Sequence, residues 1–212
     1  MKKVKKYISS DAIKTAIRLF KKHHGMMKTK EAIENGISPR VLYHMHDDGI
    51  LNKISRGLFY LAERSSISNL DLVAAIKKVP KGIVCLISAL DFHGLTTQIP
   101  HFVDLAYCQG WREPKIEYPP IKIFRYSNKS YNLGVEHHVI DGVQIAIYSP
   151  EKTIVDCFKF RNKIGLNVAI EALKKYWFRK NKAPNVNKIM EYAKICRVEK
   201  IMRPYLESMI NE

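Results

Sequence analysis

The sequence predicts an α+β protein, in which an N-terminal winged helix-turn-helix is followed by a mixed α/β C-terminal domain with a small, mostly antiparallel sheet and a helical tail. Three observations predict this class. The start of the chain combines helical spacing of apolar residues with suitable cap residues, and a hairpin pattern follows it. Short strand-like runs occupy the middle. From Ser149-Pro150 onward the apolar spacing is helical.

Length and composition favour two folded domains. The chain has 212 residues, 46% hydrophobic and 10% aromatic, so it can bury a core and is not wholly disordered. We place a winged helix-turn-helix DNA-binding domain at residues 1–64 and a second domain at 65–212, with the polar stretch Ser65–Asn69 at the boundary. The second domain divides into a sheet-containing part, 65–149, and a helical part, 150–212.

Two helices open the first domain. Ser10 is placed to cap an amphipathic helix, and Thr29 is placed to cap a short second one. Ala32 and Ile33 are expected to face inward from the second helix. Asn35-Gly36 ends it, because both residues tolerate a left-handed backbone.

A third helix completes a helix-turn-helix. Ser38 is its predicted cap and Pro39 its first residue, where the missing N–H costs nothing. The helix runs to about Asp48, with Val41, Leu42 and Met45 inward. The third helix of such a set enters the major groove of DNA.

The outward positions of the third helix are candidates for contact with DNA. Arg40 lies near the start of the helix, closest to base edges, and is the leading candidate for a base or adjacent phosphate contact. Tyr43 and His44 are weaker candidates. The hairpin that follows turns at Arg56-Gly57, and Lys53 and Arg56 would reach phosphates. The alternative is a three-helix packing domain with an ordinary hairpin.

The charge is distributed unevenly along the chain. Its net value of +16 divides into +8 over residues 1–64, +1 over 65–153 and +7 over 154–212. Two basic ends around a neutral middle indicate polyanionic partners. A basic helical surface is predicted in the second domain, with solvated lysines as an equally open explanation. Its residues are Lys152, Lys159, Arg161, Lys163, Lys174, Lys175 and Arg179.

Other classes of protein are disfavoured. No apolar stretch approaches the ~20 residues that cross a bilayer, and charged residues follow the basic start where a signal peptide needs its apolar core, so we expect a cytoplasmic protein with no membrane partner. Four cysteines without a Cys-x-x-Cys pair predict no zinc or redox site. We expect each to be a small buried hydrophobe.

Strands and helices of the second domain follow from the same patterns. Helices are predicted at Leu70–Lys78, Val84–Phe92, 150–162, 166–179, 186–195 and 198–210. Strands are predicted at Phe102–Tyr107, Ile121–Tyr126, Val135–Ile140 and Val143–Tyr148. His93 is expected to lie at a helix C-terminus.

No catalytic, cofactor or metal site is predicted. His137 and His138 are adjacent on a strand and point to opposite faces, so they cannot bind one metal together. Asp104, Glu113 and Lys115 form a loose pattern of the kind that metal-dependent nucleases use. Pro114 argues against the central strand that such a pattern needs, so a nuclease is the less favoured alternative.

Seven segments resemble one known family. They are Gly25–Ala32, Asn35–Tyr43, Ile54–Leu61, Cys85–Pro100, Tyr148–Phe158, Lys163–Leu166 and Arg203–Leu206. Together they closely resemble the AbiEi-type antitoxins and transcriptional regulators of type IV toxin–antitoxin (abortive infection) systems. The resemblance extends from about residue 10 to 208. The N-terminal segments alone would be weakly specific, because many regulators use winged helices.

The resemblance implies two roles. The N-terminal domain of such an antitoxin represses its own operon by binding inverted repeats in the promoter. The C-terminal domain counters a nucleotidyltransferase-like toxin without a stable complex. An interaction protein that binds the toxin or its substrate directly is the alternative. With the helix and wing positions that match the family, the candidate DNA-binding residues are Thr29, Lys30, Ser38, Arg40, Tyr43, His44, Lys53, Ser55 and Arg56.

Overall fold

The computed structural model describes residues 8–55, 57–63, 70–180 and 183–210, the side chains of Ser55 and Ile210 excepted. The chain forms two compact units. The first ends at Ala74 and also takes in Glu117–Pro119 and Val139–Val143, and the second contains the remainder. The predicted boundary stretch, Ser65–Asn69, lies outside the described residues.

The first unit has the winged-helix order of elements. Its elements are α1 (Ser10–Lys22), β1 (Met26–Lys28), α2 (Thr29–Glu34), α3 (Pro39–Asp47), β2 (Leu51–Ser55) and β3 (Leu58–Leu61). The three strands form an antiparallel sheet in the order β1-β3-β2. The core between the helices and this sheet includes Phe20, Leu42, Met45 and Phe59, all with no exposed surface. This confirms the predicted arrangement of helices and hairpin.

Three details of the first unit correct the sequence prediction. Ser9, not Ser10, caps α1, and Lys28 rather than Thr29 precedes α2. The Lys28 N–H donates to Glu31 Oε2 at 3.2 Å, so the side chain of the third helical residue satisfies the N-terminus of α2. Ile33 is 45% exposed rather than inward, because a helix of six residues has only a narrow buried face and Ala32 occupies it.

From residue 70 the chain alternates helices and strands and then becomes helical. The elements are α4 (Leu70–Lys78), β4 (Ile83–Val84), α5 (Leu86–Phe92), β5 (Val103–Cys108), β6 (Ile121–Tyr126), α6 (Asn128–Tyr131), β7 (Val135–Ile140), β8 (Val143–Tyr148), α7 (Pro150–Lys159), α8 (Arg161–Ile164), α9 (Leu166–Trp177), α10 (Val186–Cys196) and α11 (Glu199–Ile210). The α+β class is confirmed. Val84 belongs to a strand rather than to the following helix, and the first tail helix breaks at Phe160.

The larger sheet is mixed, not mostly antiparallel. Its strand order is β6-β5-β4-β8-β7. β4 is antiparallel to β5 but parallel to β8, and β5 is parallel to β6. The connection across residues 109–120 is long enough to bring the chain back for a parallel pairing, which a hairpin turn cannot do. Strand β4, which was not predicted, supplies the parallel partner of β8.

Helix α7 is the centre of the second core. Ile154, Val155, Cys157 and Phe158 have no exposed surface, and α5, α9 and α10 pack around α7. All four cysteines are buried and free, as predicted. No helix in the described part of the chain is long and apolar enough to span a bilayer.

Candidate nucleic-acid interface

Helix α3 is anchored by its cap and its buried face. Ser38 Oγ accepts a hydrogen bond from the Val41 N–H at 3.3 Å, and Pro39 occupies the first helical position. Leu42 and Met45 are fully buried and hold the helix on the core. Val41 is only half-buried. This geometry fixes which side chains α3 presents outward.

The outward face of α3 carries three of the candidate residues. Arg40 is exposed and Tyr43 is 48% exposed. His44 is half-buried, and its Nε2 lies 3.4 Å from Asp48 Oδ2. A carboxylate that holds an imidazole competes with phosphate for it. Arg40 and Tyr43 are more exposed than His44 and for that reason are the better placed of the three to reach a base edge.

Phe59 links α3 to the hairpin of β2 and β3, which we call the wing. The Tyr43 ring meets the Phe59 ring edge-on at 5.8 Å, and His46 meets it at the same distance from another position on α3. On the adjacent strand, Lys53 is the register partner of Phe59. Phe59 thus packs against α3 through its ring and pairs with Lys53 through the backbone of β2. This role was not predicted, because in the sequence Phe59 is one of four consecutive apolar residues, Leu58–Leu61.

Of the side chains in the wing that were predicted to contact DNA, the structure describes only that of Lys53. Lys53 is exposed, and the pairing of β2 with β3 shifts between Lys53 and Ser55. Such a bulge increases the local twist of a hairpin. The side chain of Ser55 and the whole of Arg56 lie outside the described residues.

Thr29 and Lys30 differ in accessibility. The Thr29 N–H donates to the Gly57 carbonyl at 2.9 Å, which ties α2 to the turn of the wing. The Thr29 hydroxyl oxygen is buried and has no hydrogen-bond partner among the described residues. Lys30 is exposed, with Nζ 3.8 Å from Glu34 Oε1. Lys30 is accessible to a phosphate, whereas Thr29 instead holds the turn of the wing through its backbone hydrogen bond.

The predicted basic surface of the second unit is not continuous. Lys152 is fully buried, so its assignment to that surface is wrong. Lys159 Nζ lies 5.4 Å from the centre of the Tyr126 ring, and the Arg161 guanidinium donates to the Phe158 carbonyl at 3.0 Å. Lys175 is 3.4 Å from Glu171, and Arg179 stacks on Tyr176 at 4.0 Å. Lys163 and Lys174 are exposed.

Lys152 instead belongs to a buried polar cluster. Its Nζ donates to Asp156 Oδ2 at 2.5 Å and lies 4.2 Å from the Tyr148 ring centre and 4.8 Å from that of Tyr126. Burial raises the pKa of Asp156, against the lowering effect of the Lys152 ammonium. The cation is compensated by one carboxylate and two aromatic faces, which is how a buried lysine is tolerated.

The neighbours of Lys152 in the segment Ser149–Thr153 also have structural roles. Ser149 Oγ accepts from the Lys152 N–H at 3.3 Å and caps α7. The Tyr176 hydroxyl donates to Glu151 Oε1 at 2.5 Å, and burial, together with this bond, raises the pKa of Tyr176 to about 12. Thr153 donates to the Tyr148 carbonyl at 3.2 Å. These contacts fasten α7 to β8 and α9.

The residues of the nuclease pattern do not converge. Glu113 lies in an irregular loop and is paired with Arg125 at 2.9 Å, whereas Asp104 lies on β5 opposite Lys122. Within the described ranges, no group of three His, Cys, Asp or Glu residues is placed to hold a metal ion.

His93 has the structural position that was predicted for it. It is the C-cap of α5, and its Nε2–H donates to the Tyr148 carbonyl at 2.8 Å. Burial lowers the pKa of His93. A neutral imidazole that donates from Nε2 therefore joins α5 to β8.

Comparison with known proteins shows the fold and no more. No family model and no curated protein sequence matches the chain. Among solved structures, the chain is similar to the crystal structure of the RV2827C protein from Mycobacterium tuberculosis, with a TM-score of 0.58 and 11% sequence identity. The similarity covers 95% of this chain and 82% of that protein.

Proposed function

We propose that this chain is a DNA-binding antitoxin of the AbiEi type, which represses its own toxin–antitoxin operon through the first unit and counters a nucleotidyltransferase-like toxin through the second. One observation carries the proposal. The capped helix α3 presents Arg40 and Tyr43 outward while its opposite face is locked into a core shared with the wing.

The proposed reading of DNA follows from this placement. The N-terminal residues of a recognition helix approach base edges, and Arg40 is the second residue of α3. An arginine there can donate two parallel hydrogen bonds to guanine. Lys30 and Lys53 are exposed cations of the same unit and would bind phosphates, which fixes the register without reading the sequence. The operator would be inverted repeats in the promoter.

The antitoxin role is supported by the extent of the sequence resemblance. The resembling segments include those that form α5, α7 and part of α11, well beyond the winged helix. At α7 they coincide with the buried polar contacts made by Ser149, Glu151, Lys152 and Thr153. We propose that the second unit acts on the toxin without forming a stable complex.

DNA binding is tested with the full chain and a fluorescent duplex from the region upstream of its own gene. Selective binding over a scrambled duplex is expected, with affinity falling steeply as salt is raised. Arg40→Ala should reduce the selectivity more than the non-specific affinity. Arg18→Ala, which removes an exposed arginine from α1 outside the helix-turn-helix, is the control for net charge and should retain selectivity.

Neutralisation is tested in cells that express the product of the neighbouring gene, which the proposal expects to be nucleotidyltransferase-like. The full chain should restore growth, and Arg40→Ala should still restore it while releasing repression of a promoter reporter. Co-elution of the two proteins would favour the alternative, an interaction protein that binds the toxin directly. Mg²⁺-dependent cleavage of DNA that Asp104→Ala abolishes would favour a nuclease.

A further inference from the structure

A pocket of about 200 Å³ lies at one edge of the larger sheet, where four parts of the second unit meet. These parts are the start of α5, the loop before β5, strands β5 and β6, and α8. The loop residues Ile99 and Phe102 line it and are 81% and 53% exposed, respectively. Large apolar side chains beside a concave surface are typical of ligand sites.

A carboxylate lies inside the pocket. Asp104 is 5% exposed and accepts a hydrogen bond from the Ile87 N–H at 3.1 Å through Oδ2. This bond, the charge of Lys122 and a backbone hydrogen bond from Ser88 favour the ionised form, but burial outweighs them and raises the pKa of Asp104 to about 6. Two backbone N–H groups at the start of α5 thus bind this carboxylate. A carboxylate has acceptor sites for more than two donors, so Asp104 can accept a further N–H from a ligand in the pocket.

Two ammonium groups of pocket-lining lysines lie near the same aromatic ring. Lys122 Nζ lies 5.4 Å from the centre of the Phe124 ring, and Lys163 Nζ lies 5.9 Å from the same centre. Neither ammonium has a carboxylate within ion-pairing distance among the described residues. Lys122 acts electrostatically on Asp104 without forming an ion pair, so both exposed lysines keep donors for an anion such as a phosphate.

We propose that this pocket binds a nucleoside monophosphate, whose base donates to Asp104 and whose phosphate is held by Lys122 and Lys163. The ligand needs a flat apolar part for the walls of Ile87, Phe124 and Ile164, N–H donors for a buried carboxylate, and a dianion for two lysines. A nucleotide combines all three. Guanine is the expected base, because its ring N–H and its amino group lie side by side on one edge.

The volume sets the size of the ligand. About 200 Å³ is smaller than the ~300–1,000 Å³ of pockets that enclose a drug-sized ligand, so the pocket encloses the base, and the sugar and phosphate lie at the mouth beside the exposed lysines. The site uses none of the residues proposed to contact operator DNA. The inference therefore stands or falls independently of DNA binding by the first unit.

The test is calorimetric titration of the full chain with GMP, AMP, CMP, UMP, ribose 5-phosphate and inorganic phosphate. GMP should bind at least about tenfold more tightly than ribose 5-phosphate, since a hydrogen bond to a charged group contributes at least that factor. Equal affinity for all six compounds, tighter binding of another nucleotide, or no binding at millimolar concentration would overturn the proposal.

Three variants assign the contacts. Asp104→Asn should weaken GMP at least about tenfold and abolish its preference over AMP, CMP and UMP. Lys122→Met and Lys163→Met, which keep most of each side chain's length, should weaken all the phosphates about tenfold. Lys174→Met removes an exposed lysine from α9 that does not line the pocket and should leave the titrations unchanged.

Two further measurements separate binding from folding and from the proposed function. Unfolding followed by tryptophan fluorescence reports on the second unit, because Trp111 and Trp177 both lie in it and are the chain's two tryptophans. Asp104→Asn should unfold no earlier than the natural chain, so its loss of base preference cannot come from a damaged fold. Arg40→Ala should bind GMP normally. Normal binding of GMP by Asp104→Asn would contradict the proposal.

Discussion

Replacing Asp104 by asparagine should stabilise the second unit at neutral pH. Asparagine has nearly the same shape as aspartate, and its side-chain oxygen can still accept the hydrogen bond from the Ile87 N–H. In the natural chain the pKa of this carboxyl rises from 3.8 in the unfolded chain to about 6 in the folded one, chiefly through burial. The ionised form is therefore disfavoured by folding, and asparagine removes that cost.

The sign and size of the effect follow from proton linkage. Below both pKa values the carboxyl is protonated in either state and costs nothing. Between pH 3.8 and about 6 the unfolded chain releases its proton first, so the natural chain loses stability as the pH rises. A shift of about two pKa units corresponds to about 3 kcal/mol, which is fully present at pH above 6.

Urea unfolding followed by tryptophan fluorescence measures this difference. Asp104→Asn should exceed the natural chain by up to about 3 kcal/mol at neutral pH, and the excess should nearly vanish by about pH 4. Asp91→Asn, which replaces an exposed carboxylate on α5, should show no such trend. An equal gain at both pH values, or a variant less stable than the natural chain at neutral pH, would refute the explanation by ionisation.

Three further substitutions test the packing. Lys152→Met should destabilise the second unit by about 3–5 kcal/mol, because it leaves Asp156 buried and unpaired; adding Asp156→Leu should recover most of the loss, and no recovery would contradict the pairing. Gly134→Ala should cost about 1–3 kcal/mol of stability, because its φ is +64° and an added Cβ would lie 2.7 Å from the Lys152 Cβ. Gly110→Ala is the control, since Gly110 also has a positive φ but no atom within 4 Å of an added Cβ. Equal losses of stability in the two variants would contradict the steric argument. Ser38→Ala should cost about 1 kcal/mol through the lost cap and speed hydrogen exchange in α3, and unchanged exchange there would contradict the capping role.

Local signals predicted most of the elements. Ser38-Pro39 and Ser149-Pro150 mark helix starts that the structure reproduces, because capping and the fixed φ of proline act within a few residues. The strands β6, β7 and β8 have the predicted bounds. β1 and β4 were missed since runs of three and two residues are too short to show alternation. Without β4, the mixed pairing of the larger sheet could not be anticipated.

The sequence also did not predict which charged residues are buried. Lys152 was assigned to a surface on its residue type, yet two tyrosines from separate strands and a carboxylate one helical turn away enclose it. Asp104 and Lys122 become neighbours only through the parallel register of β5 and β6, and Lys163 joins them from a helix far along the chain. A pattern along the chain carries no signal for contacts that depend on strand order. The candidate DNA contacts come from one short, continuous motif, which is why local patterns suggest them, and they stay a prediction.

Selective binding of the chain to its own promoter is measured by fluorescence anisotropy across a series of salt concentrations. We expect tight binding to the promoter duplex, weaker binding to a scrambled duplex, and loss of that difference in Arg40→Ala but not in Arg18→Ala. Lys53→Ala should lower the slope of log affinity against log salt by about one while preserving selectivity. Equal affinity of the natural chain for promoter and scrambled DNA at every salt concentration would contradict DNA recognition by the first unit.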